Sequence, residues 1–249
     1  MASKNGEKKI SFNNQFDTRM RLENFMKLFK VVEKGGYHTH TAFGPPFGKF
    51  NIPEEKMEEF IGLYCDAMQR GCDLHIVERP RKNGPLLIDI DFNFDYKHNE
   101  RLYREDDIKY VVGCANSIIR KYYKWDSKTI LSFVFEKPNP SLRENKEQGT
   151  KEWKDGFHIV YPYLPIDVSL RYLILEEVRD EARDEGVLDF DILNSYDDAF
   201  DVSPIYRNGW FMYGSKKEKG QMYELTYIFD NKSYTEEEFL KVIKMIAFA

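Results

Sequence analysis

The sequence predicts an α+β fold whose main unit is a ferredoxin-like, or RRM-like, sheet packed against two helices. Three observations predict it. From residue 86 onward the segments follow the order β-α-β-β-α-β, the helical segments carry one apolar stripe, and the strand segments alternate apolar with polar residues. In that topology the first and third strands are neighbours, so residues far apart in the chain come to lie side by side.

The segment before this unit predicts two helices separated by a loop. Apolar spacing over 16–29 indicates the first helix, and a second begins at Pro53, because proline fits the first turn of a helix. Glycines and paired prolines in YHTHTAFGPPFGKF, residues 37–50, favour an irregular loop, and a short strand is predicted at 74–77.

The elements of the main unit are predicted from their periods. In the helix over 106–125, Ile108 and Ile118 fall on one apolar stripe, and the helix over 168–185 repeats this spacing. The predicted strands are 86–94, 130–136, 157–163 and 210–213.

The remaining segments carry weaker patterns. The polar stretch 139–154 favours an exposed loop between two strands. After the main unit we expect a strand at 223–229 and a helix that begins with a capping box formed by Thr235 and Glu238.

Length and composition predict a globular, soluble protein. The 249 residues are 42% hydrophobic and 15% aromatic, which provides a core and excludes disorder as the general state. We expect one domain over 1–249 with two modules, an N-terminal helical and loop module over 10–85 and a catalytic module over 86–249. The chain stops at Ala249 inside an apolar stretch, so we expect it to be a fragment of a longer protein.

Charge and cysteine content narrow the function classes. The net charge of −5 gives no global indication of nucleic-acid affinity, so any phosphate-binding surface must be local. Cys65, Cys72 and Cys114 include no CxxC pair and leave an odd thiol, which favours a reducing, intracellular compartment. No segment is typical of a secretory signal or a transmembrane helix, so no membrane partner is expected.

The strand LLIDIDFNF contains the first candidate site. Because strand side chains alternate between faces, Asp89 and Asp91 point together from the face opposite the apolar residues. Their charges repel, and a hard divalent ion such as Mg²⁺ or Mn²⁺ between them is the natural partner. The alternative is an exposed strand with ordinary polar alternation.

A neighbouring strand, GFHIVYP, supplies a histidine. Phe157 and Ile159 match the core side, so His158 shares the face of the aspartates. A histidine there suits a phosphate as partner, and Gly156 leaves backbone room beside it. A purely structural histidine is the alternative.

The third candidate element is DVSPIYRNGWFMYGSKK. Asp201 adds a third carboxylate, which completes a site for two metal ions, and Arg207 and Lys217 suit the charge of a triphosphate. The alternative is an irregular, solvated connection. Four further acids compete for the role of third carboxylate: Asp189, Asp191, Asp197 and Asp198.

Other clusters are weaker. His38 and His40 are similar to the paired histidines of rolling-circle nucleases, although the segment reads as a loop. Cys65, Cys72 and His75 do not have the spacing of a zinc finger, so we expect buried cysteines and no zinc. Six basic residues favour equally a groove for a nucleic-acid strand or surface solubility: Arg79, Arg81, Lys82, Lys216, Lys217 and Lys219.

The ordered set of motifs resembles the archaeo-eukaryotic primase superfamily. Its motifs are a strand DhD (Asp89, Asp91), a small-x-His (Gly156 to His158), and a later acid, Asp201, followed by a basic motif, here GSKK. Four segments are similar to the N-terminal primase domain of the poxvirus-type primase-helicases of nucleocytoplasmic large DNA viruses: FGKFNIP, LLIDIDF, KDGFHIVYP and YRNGWFMYGSKK.

This resemblance implies roles for individual residues. Asp89, Asp91 and Asp201 would be catalytic and hold the two divalent ions, Mg²⁺ or Mn²⁺. His158 would contact the phosphates of the incoming nucleotide, and Lys217 matches the basic position of the family. The same resemblance implies an RRM-like catalytic unit beside an N-terminal α/β unit.

Two positions depart from the family pattern. The family often has an arginine where Phe211 stands and a serine where Gly156 stands. Arg207 is a candidate to replace the missing arginine, and Ser215 of GSKK completes the predicted nucleotide-binding set.

We therefore expect a metal-dependent nucleotidyltransferase that synthesises primers on a single-stranded DNA template from NTPs or dNTPs. A C-terminal helicase domain and a viral replication site in the host cell follow from the resemblance. The alternatives are a nucleotidyl cyclase, which needs no template, a rolling-circle-type nuclease, and a non-catalytic nucleic-acid-binding module. The last would carry aromatic residues on an exposed strand face.

Overall fold

The computed structural model describes residues 3–98, 100–145 and 149–229, with side chains from residue 14 onward. They form two compact units. Of the described residues, the first contains 3–79 and Gly209–Met222, and the second contains Pro80–Asn208 and 223–229. The return of 209–222 to the first unit differs from the predicted division at residues 85 and 86. The helix predicted from Thr235 lies outside the described residues.

The described residues form six α-helices and nine β-strands. The helices are α1 (Ser3–Lys27), α2 (Met57–Gln69), α3 (Glu105–Tyr122), α4 (Val168–Asp184) and the single turns α5 (Tyr196–Ala199) and α6 (Ser203–Tyr206). The strands are β1 (His40–Ala42), β2 (Gly48–Phe50), β3 (Ile76–Glu78), β4 (Asn83–Asp95), β5 (Ser132–Glu136), β6 (Ser141–Asn145), β7 (Thr150–Asp167), β8 (Trp210–Phe211) and β9 (Glu224–Phe229).

The first unit contains a small antiparallel sheet in the order β2-β1-β3-β8. Its core joins α1, α2 and one face of the sheet through Met26, Phe50, Phe60 and Tyr64. The predicted irregular loop over 37–50 is corrected, since it contains the strands β1 and β2. Its glycines and prolines are concentrated in the turn between these strands.

One predicted strand belongs to a different sheet. The segment expected at 210–213 as the last strand of the ferredoxin-like unit is β8, which pairs with β3 in the first unit. Its partner residues are Val77 for Phe211 and Glu78 for Trp210. A two-residue strand contains too little pattern to specify its neighbour, which is why the sequence misplaced it.

The second unit confirms the predicted α+β architecture. Its sheet has the order β4-β7-β5-β9, so the first and third strands of the unit are neighbours as expected, with Ile88 opposite Ile159. Helices α3 and α4 pack on one face of this sheet and bury its apolar residues. Helix α4 begins at a capped end, where the Asp167 carboxylate accepts hydrogen bonds from two backbone N–H groups.

Two details of this sheet were not predicted. The stretch 139–154 is largely a hairpin, because β6 pairs with the first part of β7. The fourth strand is β9, which pairs with β5, whereas β4 is flanked by an irregular segment with single bridges at Ile192 and Phe200. This irregular segment brings Asp201 to the aspartate strand.

Candidate functional site

The pairing of β4 with β7 brings the predicted aspartates and histidine together. Asp89 lies directly opposite His158, and Asp91 lies opposite Gly156, so their side chains share one face of the sheet. Asp89 is buried, with 9% of its surface exposed. The Nε2 atom of His158 is 3.2 Å from Oδ1 of Asp89. The sheet therefore assembles this pair from residues 69 positions apart in the chain.

Asp201 joins the same strand through its backbone. Its N–H donates to the carbonyl oxygen of Asp89 at 2.9 Å, beside the bridge between Phe200 and Ile90. Its Oδ1 accepts a hydrogen bond from the N–H of Ser203 at 2.8 Å. The backbone of Asp201 is thus adjacent to the backbone of Asp89.

The four competing acids lie elsewhere in the unit. Asp191 pairs with Lys97 and His98, and Asp197 pairs with Arg183 at 2.6 Å. Asp198 exchanges hydrogen bonds with Ser195 at the start of α5. Asp189 is exposed.

One carboxylate oxygen of each central aspartate lacks a hydrogen-bond donor. Oδ1 of Asp89 and Oδ1 of Asp91 are buried and accept no hydrogen bond in the described part of the chain. The 3.2 Å contact between Asp89 and His158 has no hydrogen-bond geometry. Buried oxygens of this kind are costly unless a cation or a donor satisfies them, and paired carboxylates are preferred ligands of hard divalent ions. The two side chains therefore fit Mg²⁺ or Mn²⁺.

A complete ligand cage is not formed. Among residues 14–98, 100–144 and 149–229, no group of three or more His, Cys, Asp or Glu side chains is arranged to hold a metal ion. The carboxylate of Asp201 is bonded to its own turn at Ser203.

Lys154 is a site residue that the sequence analysis missed. Its Nζ atom lies 2.6 Å from Oδ2 of Asp91 and forms an ion pair with it. The strand period could have found this residue, because Lys154, Gly156 and His158 alternate on one face of β7.

Tyr223 is a second missed residue. Its ring stacks on the imidazole of His158, with 3.6 Å between the ring centroids and 23° between the planes. The Nζ atom of Lys137 lies 4.8 Å from the centroid of the tyrosine ring. Burial, together with the charges of Asp91 and Asp89, raises the pKa of Tyr223 well above its usual value. Its hydroxyl therefore stays protonated at neutral pH.

Asn194 fastens the irregular segment to the open edge of β4. Its side-chain amide donates to the carbonyl of Asp91 at 2.9 Å, and its Oδ1 accepts from the N–H of Asn93 at 2.8 Å. These bonds replace those of a neighbouring strand and fix the backbone at the aspartates.

Gly156 has a structural reason to be glycine. Its φ is 154°, and a Cβ atom built there would lie 1.9 Å from the carbonyl oxygen of Ile90. The Tyr103 hydroxyl donates to the carbonyl of Gly156 at 2.9 Å. No side chain fits at this position, which explains the departure from the serine of the family pattern.

A buried ionic network supports the same stretch of β7. The Arg101 guanidinium donates to Asp155 at 2.8 Å, to Glu136 at 2.7 Å and to the Lys137 carbonyl at 2.5 Å. Both carboxylates are almost fully buried. Arg101 therefore connects β5 to β7 next to the candidate site.

The other predicted nucleotide-binding residues are divided between the units. Arg207 belongs to the second unit, is exposed, and has its guanidinium 5.7 Å from the Tyr206 ring. Ser215 and Lys217 belong to the first unit, and Lys217 is exposed. The Ser215 hydroxyl is buried, accepts from the N–H of Ile76 at 3.0 Å, and bonds to the Tyr64 hydroxyl at 2.9 Å. Their nucleotide-binding roles stay predictions.

The histidine and cysteine clusters are accounted for by packing in the core. His40 is buried edge-on against Phe60, with 4.8 Å between the ring centroids. Cys65 and Cys72 are buried, as expected, and Cys114 is buried as well; burial raises the pKa of Cys72 and of Cys114. In the part of the chain that the structure describes, no helix is both long and apolar enough to cross a membrane.

The paired aspartates, the facing histidine and the α+β sheet define the class of protein, the archaeo-eukaryotic primase (AEP) superfamily of nucleotidyltransferase-like domains. Comparison with family models agrees, since residues 39–229 match the family described as the C962R protein N-terminal AEP domain. The chain belongs to this family.

Two viral relatives are similar over most of the chain. One is "Putative helicase L207/L206" of Acanthamoeba polyphaga mimivirus, which is 35% identical over 225 residues, 88% of this chain and 22% of that protein. The other is "Putative helicase 184R" of Invertebrate iridescent virus 6, which is 28% identical over 228 residues, 82% of this chain and 23% of that protein. The chain thus spans less than a quarter of the length of either relative.

Proposed function

We propose that this chain is a DNA primase domain that joins nucleotides on a single-stranded DNA template to start primers and to extend them. One observation carries the proposal: Asp89 and Asp91 present buried, unsatisfied carboxylate oxygens on one strand face, directly beside His158. Membership of the AEP family supports the same chemistry.

The residues divide the work as follows. Asp89, Asp91 and Asp201 hold divalent ions, which supply charge compensation for the attacking hydroxyl and the pyrophosphate leaving group. His158 donates a hydrogen bond to a phosphate of the incoming NTP or dNTP, and its place opposite Asp89 supports this role. Arg207, in the same unit, contributes positive charge toward the triphosphate through its planar guanidinium.

The proposed setting is a longer replication protein. Both viral relatives are named helicases and extend far beyond the matched region. We therefore propose that a helicase domain accompanies this domain and that both act where viral DNA is replicated in the host cell.

Primer synthesis on defined templates tests the proposal. The chain is incubated with single-stranded DNA, labelled NTPs or dNTPs, and Mg²⁺ or Mn²⁺, and the products are resolved on a denaturing gel. Asp89→Asn should abolish template-dependent oligomers while circular dichroism and thermal unfolding show a folded protein. Asp106→Asn is the matched control, because this α3 side chain is 92% exposed.

Other outcomes would overturn it. Undiminished oligomer synthesis by Asp89→Asn would remove the assigned role of the carboxylate pair. A cyclic nucleotide made without template would indicate a cyclase, and shortened template would indicate a nuclease.

A further inference from the structure

The small sheet of the first unit has two chemically different faces. Residues directly opposite one another in antiparallel strands share a face. His40, Phe50 and Ile76 point into the core. The opposite, outward face carries Lys49, which is exposed, Thr41 and Phe211, which are half-buried, and Val77, which is buried.

Three exposed aromatic residues border this outward face. Tyr37 is 64% exposed, and Phe43 and Phe47 are each 59% exposed. Phe43 follows Thr41 by two residues, so it continues the same face, and its ring centroid is 6.2 Å from that of Phe211. Exposure of large apolar rings to water is unfavourable, and binding of a partner over them would remove that surface from water.

Phe47 adds a backbone anomaly. Its φ of 32° lies in the left-handed region, which is unfavourable for a bulky residue. The side chain is 59% exposed, so burial of the ring does not compensate for this strain. A strained, exposed aromatic residue in a turn is a feature that often serves binding.

Two cations lie among these rings. The Arg79 guanidinium carbon is 5.5 Å from the centroid of the Tyr37 ring. Lys49 of β2 is exposed and lies opposite Thr41 of β1. Burial lowers the pKa of His38, and the charges of Lys49 and Arg79 lower it further. Both positive charges therefore act at His38, although the net charge of the chain is −5.

The turn between β1 and β2 is held in place by packing. A Cβ atom on Gly44 would lie 2.3 Å from the His75 ring, so this turn sits tightly against its neighbour. The Phe43 N–H donates to the His75 carbonyl at 2.9 Å, and the Phe47 N–H donates to the Gly44 carbonyl at 2.7 Å. The two phenylalanine rings are thus presented by an ordered backbone.

We propose that this surface binds single-stranded DNA. It is named here the aromatic-cationic face and consists of Tyr37, Phe43, Phe47, Lys49, Arg79 and Phe211. Exposed rings stack on unpaired bases, and Lys and Arg side chains bind the phosphates between them. None of the strand residues on the outward face, all within the described residues, is acidic. A polyanion is therefore a better electrostatic partner for this face than a protein whose surface carries charges of both signs.

That the bound single-stranded DNA is the primase template rests on the proposed function, whereas the binding of DNA itself does not. Duplex DNA hides its base faces in the stack, so the aromatic-cationic face should prefer unpaired DNA. The exposed aromatic residues expected of a nucleic-acid-binding module are thus present, but they lie on a different sheet from the aspartates.

Fluorescence anisotropy with labelled oligothymidylate, without nucleotide or divalent metal, tests the proposal. The double variant Phe43→Ala with Phe47→Asn removes both rings, and asparagine tolerates the left-handed backbone. We expect oligothymidylate binding to weaken about tenfold or more. Lys49→Gln and Arg79→Gln should each lower the slope of log affinity against log salt by about 0.7. Tyr37→Ser, outside the turn, is the second ring variant if the double variant does not fold.

The control removes the same kinds of side chain from the other unit. Tyr172→Ala with Lys124→Gln removes an exposed ring and an exposed lysine from the second unit and should leave binding unchanged. Wild-type affinity in the folded ring variants, equal affinity for a blunt duplex, or no binding by the wild type would each overturn the proposal. Asp89→Asn should bind DNA normally without making primers, so failure of synthesis and failure of this surface are separate results.

Discussion

The ring of Tyr223 lies almost parallel to the imidazole of His158, with 3.6 Å between the ring centroids. The imidazole in turn faces Asp89 across the paired strands β4 and β7, at 3.2 Å. An imidazole bound on its flat side and faced by a carboxylate has little freedom to rotate. Tyr223 therefore acts as a positioning residue for His158.

Removal of this stack should slow the proposed reaction without unfolding the domain. Tyr223→Leu is expected to lower primer synthesis up to about tenfold, because a stacked aromatic pair contributes about 0.5–1.5 kcal/mol. Tyr223→Phe keeps the stack and should remain close to the wild type. The measurement is kcat and KM for the nucleotide at saturating template. An equal loss in both variants would assign the effect to the hydroxyl group and contradict a positioning role.

Gly156 should not accept the serine that the family pattern often has there. Gly156→Ser is expected to lower the free energy of unfolding by about 3 kcal/mol or more, because its Cβ would collide with the backbone of Ile90. Urea unfolding measures the change. Gly113→Ala is the control, since a Cβ on this α3 glycine meets nothing within 4 Å and should stabilise by about 0.5–1 kcal/mol. Unchanged stability in Gly156→Ser would mean that the strand pairing here relaxes easily.

The sequence predicted those site residues whose position depends on strand period alone. Asp89, Asp91 and His158 lie two residues apart or directly across a pair of long strands, and alternation is sufficient to place them on one face. Lys154 obeys the same rule, but the polar composition of the stretch around it favours a loop.

The remainder depended on tertiary packing. Tyr223 begins a predicted strand whose partner strand the pattern does not specify, and Asn194 comes from an irregular segment. Only the folded sheet brings them to His158 and Asp91. The pairing of β8 with β3 was equally inaccessible, because its two residues, Trp210 and Phe211, suit any sheet.

The Arg101 network should be essential for stability. Arg101→Met would leave Glu136 and Asp155 buried without their cation, and we expect a loss of about 3 kcal/mol in the free energy of unfolding. Arg183→Met is the control, because its ion pairs with Asp180 and Asp197 are partly exposed and should contribute about 1 kcal/mol or less. Similar losses in both variants, measured by urea unfolding, would contradict a special role for the buried network.

Lys154 should compete with divalent ions for Asp91. Its ammonium group lies 2.6 Å from Oδ2 of Asp91, on the carboxylate that would hold the metal. An ion that binds Asp91 must displace or share this partner, so Lys154→Gln should tighten Mn²⁺ binding. The expected gain is about fivefold, since a partly exposed pair contributes about 1 kcal/mol. Isothermal titration calorimetry with Mn²⁺ alone measures the dissociation constant.

The same substitution should make stability depend on the metal. Without Mn²⁺, Lys154→Gln removes the cation beside two neighbouring carboxylates and should lower the melting temperature, and added Mn²⁺ should restore it. Lys151→Gln is the matched control, because this exposed lysine of β7 lies opposite Glu144, outside the aspartate pair. If Lys154→Gln bound Mn²⁺ as the wild type does, the ammonium group would not be competing for the carboxylate. Weaker binding would instead make Lys154 a residue that positions Asp91 for the ion.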